Sequence, residues 1–376
     1  MTFAILVLLT AIIGSSMVTA RVVQAWPMSI SKRIVLFAGV FFMWLTPIFV
    51  IHRPQTLTAS LYTGIVDILY FIFIFAVLIF FFMILRDVLW LCLWQTAHFF
   101  KKKFPKPTYI PVLKKANILL FIFVFILSGY ALYEGKKIPD IKTVDIITPK
   151  ITRPTSIAVL SDLHLSRHLS RKKLTGIVQR TLLQKPDLIV LPGDTVDDFP
   201  KFIQPHLDIL SQLKAPLGVY VVAGNHEFYI GHNNSQEALK KTGMTYLFNT
   251  GILINNDIFL IGVPDSKAVR RFGQQADIKN TLKNKGNHFT VLLSHQPKFI
   301  DTLDKNSVDL QISGHTHGGQ IFPFQFIAKL ANTYLSGLYK INDTFLYVSR
   351  GSGQWGPQMR LFAPSEITII RLLPLI

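Results

Sequence analysis

Two histidines one residue apart stand between glycines in SGHTHGGQ, residues 313–320, the last of five polar clusters that each follow an apolar, β-branched run. Asp162 and His164 come after SIAVLS, Asp194 after LIVLPG, Asn225 and His226 after VYVVAG, His295 after FTVLLS, and His315 and His317 after DLQISG. Singly, each has an ordinary use in a turn or a helix cap. Jointly, they deliver carboxylate, imidazole and amide oxygen to one kind of place, a donor set suited to hard-to-borderline divalent cations such as Mn, Fe or Zn. Two ions about 3.5–4 Å apart need one ligand that reaches both, and a carboxylate has two oxygens to do so. Asp194 is the candidate bridge.

Positioning such a set requires strands that end together. The runs SIAVLSD, DLIVLPGD and GVYVVAGNH alternate with helical patterns near 171–184 and 203–213. The second half is richer in strand, with GILINN, IFLIGV, FTVLLSH, DLQISGH, TFLYVSR and EITIIRLL, and helices are expected near 275–284 and 297–304. This alternation predicts an α/β domain of two sheets packed face to face with helices outside, a four-layer αββα sandwich over residues 155–376. In open α/β sheets ligands bind at the carboxyl ends of the strands, which is where the clusters fall.

The blocks DLH (162–164), GD (193–194), GNH (224–226), SH (294–295) and GHTH (314–317) stand in the order found in calcineurin-like metallophosphoesterases, and the chain resembles that family over roughly residues 155–372. The resemblance implies that Asp162, His164, Asp194 and His317 hold a first metal ion and that Asp194, Asn225, His295 and His315 hold a second. It leaves His226 off the metals, facing the substrate as a general acid or hydrogen-bond donor. Two such cations lower the pKa of a shared water, so hydroxide for in-line attack on phosphorus exists at neutral pH. The blocks GDTVD, GNHEFY, SGHTHGGQ and LYVSRGSG are further similar to membrane-attached members related to bacterial lipid-directed phosphatases, among them UDP-diacylglucosamine pyrophosphatases of lipid A synthesis. GSG at 351–353 departs from an expected GLG, in a loop that carries no expected ligand.

Around these blocks, Asp197 reads either as a carboxylate that orients a histidine or a metal-bound water or as an ordinary helix-start or turn residue. Arg350 and Arg360, beside the last strands, read as solvated surface arginines, with a bidentate clamp on a phosphate as the alternative. Arg167, His168, Arg171, Lys172 and Lys173 read as a solvated helix start. The segment IFPFQFIAKLANTY, 321–334, reads as core by its helical apolar spacing, with contact to a membrane surface as the alternative.

The 376-residue chain is half hydrophobic, with mean hydropathy +0.39 and a formal charge of +18. Apolar runs at 2–20, 34–51, 68–85 and 118–133 are each near the length of a membrane span, giving a transmembrane domain over 1–133 and a connector or edge strand over 134–154. No Lys or Arg precedes the first run, so a retained helix is expected there in place of a cleaved signal. Arg21, Lys32 and Arg33 in the first loop and six lysines in the third, against Arg53 alone in the second, place loops one and three in the cytoplasm. Four spans in the plasma (inner) membrane then put the catalytic domain on the extracytoplasmic side. Arg86 and Asp87 are expected at the interfacial end of the third span, followed by Trp90 and Trp94. The single cysteine, Cys92, excludes an intrachain disulfide or a cysteine cluster.

From Glu134 onward 28 Lys and Arg stand against 19 Asp and Glu, a net +9 that favours anionic partners. The expected partner is a phosphorylated lipid or another amphipathic phosphoester, not nucleic acid. The expected enzyme is a membrane-anchored dimetal phosphohydrolase. A cytoplasmic UDP-2,3-diacylglucosamine-type pyrophosphatase and a catalytically silent lipid-binding module are the alternatives. The first conflicts with the loop charges, and the second with the full complement of ligand residues.

Overall fold

A computed structural model of the chain describes residues 2–51, 59–106, 109–265, 273 and 275–375. They fall into two compact units, Met1–Tyr133 and Glu134–Ile376. The first consists of α1 (Thr2–Ala25), α2 (Ile30–Ile51), α3 (Ala59–Phe99) and α4 (Ile110–Lys136), whose last turn passes into the second unit. All four helices are long and apolar enough to cross a membrane. Arg53, on which the second loop's charge rests, lies outside the described residues.

The helix that carries the third apolar run does not stop with it at residue 85. It continues as one helix of 41 residues to Phe99, about 60 Å at 1.5 Å per residue. Arg86 and Asp87 do not break it because their charges are matched within the unit. Arg86 donates to Asp87 Oδ1 at 2.9 and 2.6 Å and to Asn117 Oδ1, while Arg21 Nε lies 2.6 Å from Asp87 Oδ2. Trp90 Nε1 donates to the Pro105 carbonyl at 3.1 Å.

The second unit holds β1 (Asp140–Thr148), β2 (Thr155–Val159), β3 (Leu188–Leu191), β4 (Val219–Val221), β5 (Thr245–Tyr246) and β12 (Glu366–Pro374) in one six-stranded sheet. The order is β1-β12-β2-β3-β4-β5, parallel throughout except where β12 meets β2. β1, within the stretch expected as a connector or edge strand, pairs along its length with β12. A second sheet is made of β6 (Thr250–Leu253), β7 (Ile258–Gly262), β8 (Phe289–Leu293), β9 (Leu310–Ser313), β10 (Gly337–Ile341) and β11 (Thr344–Val348). Its order is β10-β11-β9-β8-β7-β6, with parallel pairing from β11 through β7.

Successive strand residues serve two different cores, which is why the central strands read as unbroken apolar runs. Ile157, Val159, Leu188 and Val190 meet Leu260, Val291, Leu293 and Ile312 between the sheets. Ala158, Leu160, Ile189 and Leu191 face outward onto Leu174, Ile177, Leu207 and Leu210 of α5 (Arg171–Leu183) and α6 (Gln204–Leu210). Two further helices on the first-sheet side, α7 (Asn225–Ile230) and α8 (His232–Lys241), follow β4. The outer face of the second sheet is thinner. Phe259, Ile261 and Leu292 are covered by Ile278, Leu282 and Phe299, from α9 (Ile278–Thr281), its C-cap and the 3-10 segment Pro297–Thr302, both elements shorter than the helices expected there.

Candidate metal centre

Strands β2, β3, β4, β8 and β9 end at one rim, and the donors stand just beyond their last residues. Asp162, His164 and His317 bring one donor atom each within 4.8 Å of one another, and so do Asp194, His295 and His315. His164, Asp194 and His226 form a third such group. Asp194 Oδ2 lies 3.0 Å from His295 Nε2 and 3.8 Å from His164 Nε2, so one carboxylate reaches both clusters. His164 Nε2 faces His317 Nε2 at 3.2 Å, and His295 Nε2 faces His315 Nδ1 at 3.3 Å. The two histidines of HTH therefore turn to different clusters.

The donor set fits divalent cations by its chemistry and by one orphaned atom. Asn225 Oδ1 is buried with no hydrogen-bond partner among the described residues. Leaving a buried amide oxygen unpaired costs about 1–3 kcal/mol, a penalty that a coordinated cation removes. Carboxylate, imidazole and amide oxygen together suit Mn, Fe or Zn.

The backbone at these positions is strained. Asp162, His164, Asp194, His315 and His317 have φ of 53°, 48°, 51°, 72° and 50°. The left-handed region costs an L-residue about 1–2 kcal/mol, and it persists only where the surroundings over-determine it. Here the loops brace one another. Asp162 N donates to the Gly193 carbonyl at 3.2 Å, His164 N to Asp194 O at 3.0 Å and Leu165 N to Thr195 O at 2.8 Å. Fully buried Glu227 accepts from the amides of Gly224, Val196 and Asp194 at 2.7, 2.8 and 3.1 Å, tying the GD loop to the GNH loop. A Cβ at Gly224 would collide with Asp194 Oδ1, and one at Gly314 with Ser161 Oγ and Asp162 Oδ2. Only glycine admits these approaches. Glu227 was not singled out from sequence, although a Glu three residues after a helix N-cap is a recognised capping signal.

Asp197 lies between two histidines, with Oδ1 2.7 Å from His226 Nδ1 and Oδ2 3.5 Å from His164 Nδ1. Burial opposes its charge, but the bonds to His164 and His226 hold its carboxyl below the usual range. Burial likewise works against charge on Asp194, and His295 overcomes it. Burial also disfavours the His226 imidazolium, yet the Asp197 bond and the Asp194 charge raise its pKa to about 9. Bound cations would pull it back down. Tyr229 and Trp355 flank the His226 ring at 5.3 and 6.0 Å between centroids, both more than half exposed. Neither had a sequence signal.

Three expectations need correction. Arg360 is neither a solvated arginine nor free to clamp a phosphate: it is fully buried and donates to the carbonyls of Gly353, Ala363 and His317 at 2.5, 2.9 and 3.2 Å, anchoring the HTH turn from behind. Arg350 is half-buried beside Gly318, with Nε 3.5 Å from Ser336 Oγ. The basic stretch is a solvated helix start only at Arg171 and Lys172, which open α5 exposed, and not at Arg167, His168 or Lys173. Arg167 bonds Asp198 at 2.9 Å and lies over the Phe202 ring. Lys173 is buried, donating to Gly135 O and Gln354 Oε1 at 2.5 and 2.6 Å. Burial chiefly, with the charge of Arg360, lowers its pKa to about 7. Lastly, the apolar helix in 321–334, α10 (Phe324–Ala331), is not core, since it buries none of its residues.

Residues 155–319 match the family model of calcineurin-like phosphoesterases. The chain is 37% identical over 270 residues to an uncharacterized metallophosphoesterase of Campylobacter jejuni, covering 68% of this chain and 71% of that protein. It is 39% identical over 277 residues to one from Helicobacter pylori, covering 72% and 75%. A zebrafish (Danio rerio) protein named for a transmembrane protein with a metallophosphoesterase domain is 31% identical over 274 residues, covering 69% of this chain and 63% of its own.

Proposed function

This chain belongs to the calcineurin-like metallophosphoesterase family, and from that premise we propose that it hydrolyses the phosphoester or pyrophosphate bond of a lipid or lipid-linked substrate at the membrane. It is a metal-dependent phosphohydrolase. The reading is carried by the convergence of buried carboxylates, histidines and one orphaned amide at a single rim, in a chain with four helices fit to cross a bilayer.

In this reading Asp162, His164, Asp194 and His317 hold one divalent ion, and Asp194, Asn225, His295 and His315 the other. The ions supply Lewis acidity and an activated water. Asp194, whose carboxylate reaches both clusters, would be a ligand in both sites. Asp197 holds the proton on His226 Nδ1 and aims the opposite nitrogen at the substrate. From there His226 donates a proton to the leaving oxygen or a hydrogen bond to the phosphoryl group. Trp355 and Tyr229 wall the approach. Arg360 contributes by fixing the His317 main chain.

The loop charges support four spans in the plasma membrane with the catalytic unit outside. A cysteine placed at Leu183, which is 74% exposed, should react with an impermeant maleimide in intact cells. Protection until the membrane is opened would put the unit in the cytoplasm. For the substrate, purified full-length protein loaded with Mn²⁺ is incubated with extracted membrane lipids and followed by phosphorus NMR. A lipid resonance should decline with wild type and persist with Asp194→Ala. Turnover of a soluble aryl phosphodiester with every lipid resonance unchanged would overturn the lipid assignment.

A further inference from the structure

We propose that the outward face of α10, together with Phe362, lies in the surface of the bilayer and holds the metal centre against it, so that a lipid phosphoester reaches the rim from the membrane side. This rests on reading the four apolar helices as spans, and it deepens the lipid reading by naming the surface that meets the lipid.

The helix starts four residues after Gln320, the end of the HTHGGQ turn. Phe326, Ile327 and Leu330 are 61%, 63% and 90% exposed, and their spacing puts them on one face. The Phe326 ring packs on Phe322 at 5.8 Å, and Phe322 meets Phe362, itself largely exposed, at 5.7 Å. Large apolar side chains gathered at an exposed site mark a surface made to be covered.

The same helix is fastened to the metal centre. Gln325 donates to the Leu361 carbonyl at 2.8 Å, and the Phe322 amide donates to the same carbonyl at 3.1 Å. Gln320 donates to the carbonyls of Trp355 and Pro357 at 2.9 and 3.1 Å, and Trp355 flanks His226. The apolar face is thus continuous with the wall of the site.

The chain itself points to a bilayer as the occupant. α4, the last apolar helix, ends at Lys136, and only residues 137–139 separate it from β1 of the catalytic unit. So short a tether keeps that unit within reach of any membrane the helices cross. A short amphipathic helix with a basic residue, here Lys329, in a unit of net charge +9, has the chemistry that seats at the headgroup boundary of an anionic membrane.

The test uses full-length protein in nanodiscs of phosphatidylglycerol and phosphatidylcholine, in a Cys92→Ser background with an environment-sensitive dye on Leu330→Cys. A second sample carries the dye on Leu183→Cys. We expect a blue shift at position 330, and a loss of emission when the lipids carry doxyl groups on their acyl chains, with neither change at 183. Aqueous emission at 330, or quenching no stronger than at 183, overturns the proposal. A blue shift without doxyl quenching also overturns it and identifies a protein, such as a second copy, on this face. The readout needs no turnover, so repeating it in Asp194→Ala separates this inference from the catalytic one. Quenching that survives while hydrolysis fails leaves the membrane contact standing.

Discussion

The last turn of the rim runs directly into the segment of helix α10, and the rim and the helix each invert the usual rule of burial. At the rim, Asp162, His164, Asp194 and His295 are polar and fully or almost fully buried. On α10, Phe326, Ile327 and Leu330 are apolar and exposed. The two sheets between and behind them obey the rule, filled by aliphatic side chains. Departures from local consistency concentrate where a protein acts on something else. The rim is suited to cations that would neutralise its clustered charge, and α10 to hydrocarbon that would cover its face.

Substitutions at the rim should act on chemistry in graded steps. Asp194→Ala removes the one carboxylate shared by both clusters, and hydrolysis of a soluble aryl phosphodiester should fall to background. His226→Gln should cost about 10²–10⁴ in kcat, the usual contribution of a positioned general acid, with KM and bound metal little changed. A parallel loss of metal would instead make His226 a ligand. Asp197→Asn keeps the shape but weakens the hold on His226 and His164, and a loss of about 10–100-fold is expected, read as kcat at saturating Mn²⁺.

A separate effect falls on stability and leaves the chemistry untouched. Unfolded, Lys173 keeps its proton to about pH 10, whereas folded it releases it near pH 7. The folded chain therefore binds fewer protons between these values. Stability rises with pH across that window, by up to about 1.4 kcal/mol per unit. The thermal midpoint of wild type minus that of Lys173→Met should climb from pH 7 to pH 9.5. A flat difference would mean that Lys173 is solvated in solution.

The donors at the rim were legible because their chemistry restricts residue type and because strand ends are marked by apolar runs. What supports them was not. Glu227 serves amides in two loops, and Arg360 serves carbonyls as far away as His317. Which main-chain groups a buried charge will meet depends on loops that only the fold brings together. Lys173 looked solvated because its neighbours in sequence are basic, yet its partners are Gly135 and Gln354. In α10 the apolar spacing foretold the helix correctly, but periodicity says only that a face needs cover, not what covers it. The length of the third helix beyond its apolar run is hidden in sequence for a related reason: the partners that match Asp87 and Arg86, Arg21 and Asn117, come from other helices.

The central claim, a dimetal centre spanned by Asp194, is tested most directly by stripping the full-length protein with a chelator and titrating Mn²⁺ back. Bound metal and hydrolysis of an aryl phosphodiester are followed together. Activity should vanish on stripping and return as occupancy approaches about two ions per chain, while Asp194→Ala neither fills both sites nor recovers. Full turnover by the metal-free protein, or recovery that saturates at a single ion, would contradict it.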